Sequence, residues 1–83
     1  MASVEVEGQL AEYIEKEIAY DRAEPHVSPE EPLLDGLIDS TSMLRLVLFI
    51  EERFGVRVED DELVPENFET VRSLAEFVER KRT

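Results

Sequence analysis

At 83 residues, with 21 acidic against 9 basic side chains and a formal net charge of −12, the chain fits one small domain that buries only about 60–65% of its unfolded surface, too little for a core and a deep catalytic cleft together. The charge excludes a nucleic-acid surface, which gains affinity by releasing counterions from cationic contacts, whereas the one basic cluster here is the terminal Arg80, Lys81, Arg82. A small binding or carrier module with basic-faced protein partners is the class that remains.

Met1 to Glu7 lacks a basic flank and an apolar run, so no secretory signal is expected. The longest apolar run, Leu46 to Ile50, is five residues, against the about 20 needed to cross a bilayer. A soluble, cytoplasmic, monomeric chain is expected. Val6, Leu10, Tyr13, Ile14 and Ile18 recur at helical spacings between charged residues, which predicts a first amphipathic helix over residues 6 to 20. Asp21 to Asp39 holds Pro25, Pro29, Pro32 and Gly36 without a sustained period and reads as a long loop. Its second half is expected to pack on the core through Leu33, Leu34, Leu37 and Ile38.

From Ser40 to Phe54 the positions Met43, Leu46, Val47, Ile50 and Phe54 follow i, i+3, i+4, i+7, i+11, which predicts a second helix stopped by Gly55. Val56 to Val58 is a short extended link. Glu59 to Phe68 is acidic and interrupted by Pro65, leaving room for at most one short helical turn. Thr70 is the expected N-cap of a last helix with a buried stripe of Val71, Leu74, Ala75 and Val78, its basic end matched to the negative helix terminus. The fold class is all-α: a small bundle of three main helices plus one short helix, in a single domain 1–83 with its core between residues 6 and 80.

Chemistry concentrates at Asp39-Ser40-Thr41-Ser42, where a glycine-containing loop enters the most apolar helix. Asp, Ser and Thr all cap helices by accepting from orphan N–H groups. An exposed hydroxyl at a positive helix end is also suited to holding a phosphoryl group. Asp39 as the cap and Ser40 as a modified residue satisfy both. No catalytic residue is assigned. His26 is the lone histidine, on a proline-rich loop, and no Gly-x-Ser-x-Gly elbow surrounds Ser40. No metal site is assigned either, because Glu59-Asp60-Asp61-Glu62 lacks the calcium-loop spacing and its glycine.

Leu33-Leu34-Asp35-Gly36-Leu37-Ile38-Asp39-Ser40, followed by a helix ending Ile50-Glu51-Glu52-Arg53-Phe54-Gly55-Val56, resembles the acyl and peptidyl carrier proteins over roughly residues 6 to 80. The resemblance implies that Ser40 is esterified through phosphate to 4′-phosphopantetheine, with Asp39 as the flanking motif residue, and that the arm's thiol carries cargo as a thioester. A chain without cysteine fits, since the thiol arrives with the prosthetic group. Ser42, two residues into the helix, matches no modified position. The implied partners are a phosphopantetheinyl transferase using coenzyme A and magnesium, an acyl- or amino-acid-activating ligase, and downstream biosynthetic enzymes.

With Met43 at zero, Leu44 falls near 100° and Leu48 near 140°, off the core stripe. These two leucines face either the long loop or a partner. The resemblance implies a partner-docking face beside the prosthetic group, with Glu51 and Glu52 as an acidic rim that attracts basic partner faces. Arg45 stands where carriers of fatty acid synthesis usually have an acidic residue, and Thr41 replaces a commoner leucine. Together with Pro65-Glu66-Asn67-Phe68, these departures resemble free-standing carriers of specialised pathways. The alternative is an unmodified acidic interaction module in which Ser40 only caps a helix.

Overall fold

The computed structural model describes residues 4–20 and 26–82. Four α-helices, α1 (Val4–Glu17), α2 (Ser40–Phe54), α3 (Pro65–Phe68) and α4 (Val71–Arg82), are joined by loops and one 3-10 turn at Asp60–Glu62. There is no strand among the described residues, so the all-α bundle read from the periodicity is the observed architecture.

Helix α4 organises the packing. Val71, Leu74, Ala75, Phe77 and Val78 are all buried, and the closest helix-to-helix approaches are α4 with α1, with α3 and with α2. Phe77, outside the predicted stripe, turns inward to meet Phe68 with ring centroids 6.1 Å apart. The Thr70 cap is present: its hydroxyl accepts from the Ser73 amide at 3.0 Å.

Helix α1 presents Val6, Leu10 and Ile14 to this stripe. It ends at Glu17 rather than near residue 20, because the Ile14 carbonyl accepts from both the Ile18 and Ala19 amides and closes the last turn there. Helix α2 spans the predicted residues. It buries Leu46 and Ile50 fully, while Met43, Val47 and Phe54 are only partly covered. Gly55 stops it in the left-handed region at φ 67°, its amide bonding the Glu51 carbonyl, a conformation any side chain would strain.

Between α1 and α2 the gap is filled by rings rather than by close backbones. Tyr13 stacks on Phe49 at 4.2 Å, and Phe49 meets Phe54 edge-on at 6.0 Å. Arg53 lies over the Phe49 ring and donates to Gln9 at 2.9 Å.

The first five residues of the long loop, 21–25, fall outside the described residues. Beyond them the loop is stitched down by backbone bonds, with Leu33 N donating to Glu69 O and Arg72 N to Pro29 O, both at 2.9 Å. Leu33 and Ile38 are buried and Leu37 is partly covered, as expected. Leu34 departs from expectation and is 39% exposed. The Leu33–Ile38 turn closes on itself, Ile38 N to Leu33 O at 2.9 Å, and aims neighbouring side chains in opposite directions. Val27, absent from the expected core, is buried and tied to α1 by the Glu15 carboxylate.

Two short turns, not one, occupy residues 59–68. Glu59 and Glu62 cap the 3-10 turn reciprocally. Pro65 then starts α3 instead of merely ending what precedes it, because the first helical position needs no N–H donor. The acidic stretch is not wholly solvated. Glu62 accepts from Lys81 through both oxygens at 2.9 Å, and the Glu59 amide followed by Lys81 holds its carboxyl below the ordinary glutamate value.

Two leucines on α2 test this packing. Leu46→Ala opens a cavity at a fully buried position and should cost about 2–5 kcal/mol of unfolding free energy. Leu48→Ala, at a site 59% exposed, should stay within about 0.5 kcal/mol in the same denaturant titration.

Candidate functional site

The start of α2 is built around one carboxylate. Asp39 lies just outside the helix in extended backbone (φ −99°, ψ −174°), and its Oδ1 accepts from the Ser42 amide at 2.8 Å. Its own carbonyl accepts from Met43 N at 2.8 Å, the first bond of the helical ladder. The Ser42 hydroxyl, close to the same carboxylate, adds to the lowering of its pKa.

Ser40, the first residue of α2, is exposed. Among the described residues its hydroxyl has no hydrogen-bond partner. The first turn carries no acidic side chain, and the capping Asp39 carboxylate offsets part of the positive helix end. A solvent-facing, uncommitted hydroxyl at this helix start has the steric room to carry a phosphodiester. The residues present therefore fit a 4′-phosphopantetheine group attached at this position.

Helix α2 turns Ser40, Thr41, Leu44, Arg45, Leu48 and Glu52 to solvent. Leu44 and Leu48 are 63% and 59% exposed, the largest apolar exposures on this helix. Glu51 does not stand with them: it is half-buried, and its Oε2 accepts from Val58 N at 2.9 Å. The reversal at Gly55 brings Val58 back across the helix end, which gives Glu51 an internal role. A glutamate four residues before the helix-stopping glycine is the only sequence hint of that bond.

His26 is far from any such arrangement. Its ring is 83% exposed with Nδ1 3.3 Å from Glu15 Oε2. Among the described residues there is no cluster of His, Cys, Asp or Glu suited to a metal ion, and no helix long and apolar enough to cross a membrane.

A helical bundle that offers an exposed, unbonded serine hydroxyl at a capped helix start, beside an exposed apolar helix face, has the makings of a carrier scaffold. The chain belongs to that family: the model described as "Phosphopantetheine attachment site" matches residues 8–78. It is 38% identical over 76 residues to the acyl carrier protein of Micrococcus luteus, covering 90% of this chain and 89% of that one. It is also 35% identical over 52 residues to aminoacyl carrier protein 1 of Bradyrhizobium diazoefficiens, covering 63% and 58%. One chain of a solved structure named "Crystal structure of FAD-dependent dehydrogenase" is similar at 31% identity and a TM-score of 0.76, over 83% of this chain and 97% of that one. The prosthetic group of the family is 4′-phosphopantetheine.

The cap makes the start of α2 sensitive to acid. The hydrogen bond from the Ser42 amide and then the nearby Ser42 hydroxyl hold the Asp39 carboxyl below the ordinary aspartate value. A depressed carboxyl contributes stability that is present above the unfolded-chain value and lost as pH falls through the folded one. The Ser42 amide resonance should therefore be constant at neutral pH and move only below the usual aspartate range in an NMR titration, and Asp39→Ala should abolish that transition.

Proposed function

We propose that this chain is a free-standing acyl or aminoacyl carrier of a specialised biosynthetic pathway, with Ser40 as its attachment residue. The observation that carries the reading is the division of labour at the α2 start. Asp39 and Ser42 satisfy the helix end between them, and Ser40 is left exposed and uncommitted. In arm transfer the Ser40 Oγ forms a new bond to the phosphorus that bears the pantetheine arm while the P–O bond of the diphosphate bridge of coenzyme A breaks, adenosine 3′,5′-bisphosphate departs with the electron pair, and the hydroxyl proton passes to a base of the phosphopantetheinyl transferase. Once bound, the group supplies a thiol that holds cargo as a thioester.

The chain's own residues then position and present. They do no bond chemistry on the cargo, as is general in this family. Asp39 keeps the first turn of α2 ordered while partners engage it, and Leu44 and Leu48 offer an apolar contact one turn apart on the same side. Glu52 supplies the acidic rim, while Glu51 is taken up by its bond to Val58 N. A ligase that activates an acyl or amino acid group fits as the charging partner, supported by the likeness to both acyl and aminoacyl carriers. The likeness to a chain of similar size in a structure named for a FAD-dependent dehydrogenase supports a flavin enzyme among the downstream partners.

The reading is tested by intact mass after incubation with coenzyme A and a promiscuous transferase. Wild type and Ser42→Ala should each gain one prosthetic group and Ser40→Ala none; modification of Ser40→Ala would refute the assignment. Leu48→Ala should melt with wild type yet lose on the order of 1–2 kcal/mol of partner affinity, a roughly fivefold to thirtyfold rise in Kd. Cargo transfer measured against carrier concentration reads that loss.

A further inference from the structure

Arg45 stands apart from the other cations of the described chain. Lys16, Arg57, Arg72, Lys81 and Arg82 each face a carboxylate at 2.7 to 3.7 Å. Arg53 lies over Phe49 and Arg80 bonds Asn67. The Arg45 side chain is exposed, and among the described residues its guanidinium has no hydrogen bond, ion pair or ring contact. Only its backbone carbonyl is used, accepting from the Tyr13 hydroxyl at 3.3 Å. The residues three and four positions away on α2 are Thr41, Ser42, Leu48 and Phe49, none of them acidic, so the helix supplies no internal partner. On a chain of net charge −12, an unpaired guanidinium is conspicuous beside the exposed leucines and about 7.5 Å along the axis from Ser40.

The position has a geometric consequence. Two leucines one turn apart are nearly symmetric under reversal of the helix, so by themselves they do not tell a partner which end of α2 carries the arm. Arg45 directly follows Leu44 and lies on the Ser40 side of the pair's midpoint, whereas Glu52 lies one turn beyond Leu48, so the two opposite charges are offset toward opposite ends of the apolar pair. Docking in the reverse direction would bring like charges together, which costs more than the correct pairing gains. An enzyme that must accept the tip of an arm rooted at Ser40 needs that direction fixed.

We propose that Arg45 is a specificity-determining residue that pairs with a carboxylate on the charging ligase, and that with Glu52 it fixes the direction in which α2 docks. The inference rests on the carrier reading of Ser40. The partner surface it describes is an apolar socket with an acidic side chain at the Ser40 end and a basic one at the other. The acidic residue runs against the general preference of this chain for basic faces, which makes it a discriminating feature.

The test uses the full chain, given its arm by transferase and coenzyme A, then charged by the acyl- or aminoacyl-activating ligase of its own genome with ATP. Arg45→Glu should raise the KM for the carrier about tenfold or more with kcat within about twofold, Arg45→Gln should fall between, and Arg45→Lys should stay within about threefold of wild type. The deficit should shrink as salt rises, and melting temperatures should match, since the side chain touches nothing. Replacing the facing carboxylate of the ligase by lysine should restore Arg45→Glu. Charging of Arg45→Glu at the wild-type KM across salt concentrations overturns the inference while leaving the carrier reading intact. Failure of wild type to receive the arm at all removes both.

Discussion

The packing of α4 is the constraint on which the rest depends. Its five buried residues, Val71, Leu74, Ala75, Phe77 and Val78, are the surface against which α1, α2 and α3 are each laid. Helix α2 meets α4 along the Leu46 and Ile50 side, and among the described residues no helix covers its opposite face. The exposure of Ser40, Leu44, Arg45 and Leu48 is thus a consequence of how few elements an 83-residue chain has to spend. A larger domain would have elements to bury those leucines; this one leaves them exposed.

The long loop and the acidic turn serve that arrangement by tying down the ends of α2. Leu33 and Ile38 anchor the segment that delivers Asp39, and backbone bonds to Glu69 and Arg72 hold it against the start of α4. At the other end the Gly55 reversal is held by Glu51, and the Glu62–Lys81 pair fixes the following turn to the end of α4. The helix that presents the site is therefore clamped at both termini while its middle is free to be touched.

Where local chemistry decided the outcome, the sequence was legible. The bounds of α2 follow from Asp39 as a cap and Gly55 as a left-handed stop, both of which act within four residues. The core stripes of α1 and α4 follow from period alone. What could not be read depended on a partner distant in sequence. Phe49 looks surplus to the α2 stripe until Tyr13 is found stacked on it. Glu51 and Glu62 look like solvated acid until Val58 N and Lys81 arrive, and Leu34 follows an apolar pattern that its turn turns outward. Of the candidate site, the serine and its cap are readable from the motif, whereas Ser42 as the donor to that cap, and Arg45 as an unpaired cation among the described residues, emerge only in the folded chain.

Core packing and the Asp39 cap preform the site before any prosthetic group is attached. Amide hydrogen exchange on the chain before arm transfer tests this most directly. Strong protection of the Leu46–Ile50 amides and measurable protection at Ser42, unchanged once the arm is attached, is the expected result. Free exchange throughout α2 that slows only after Ser40 is modified would contradict it.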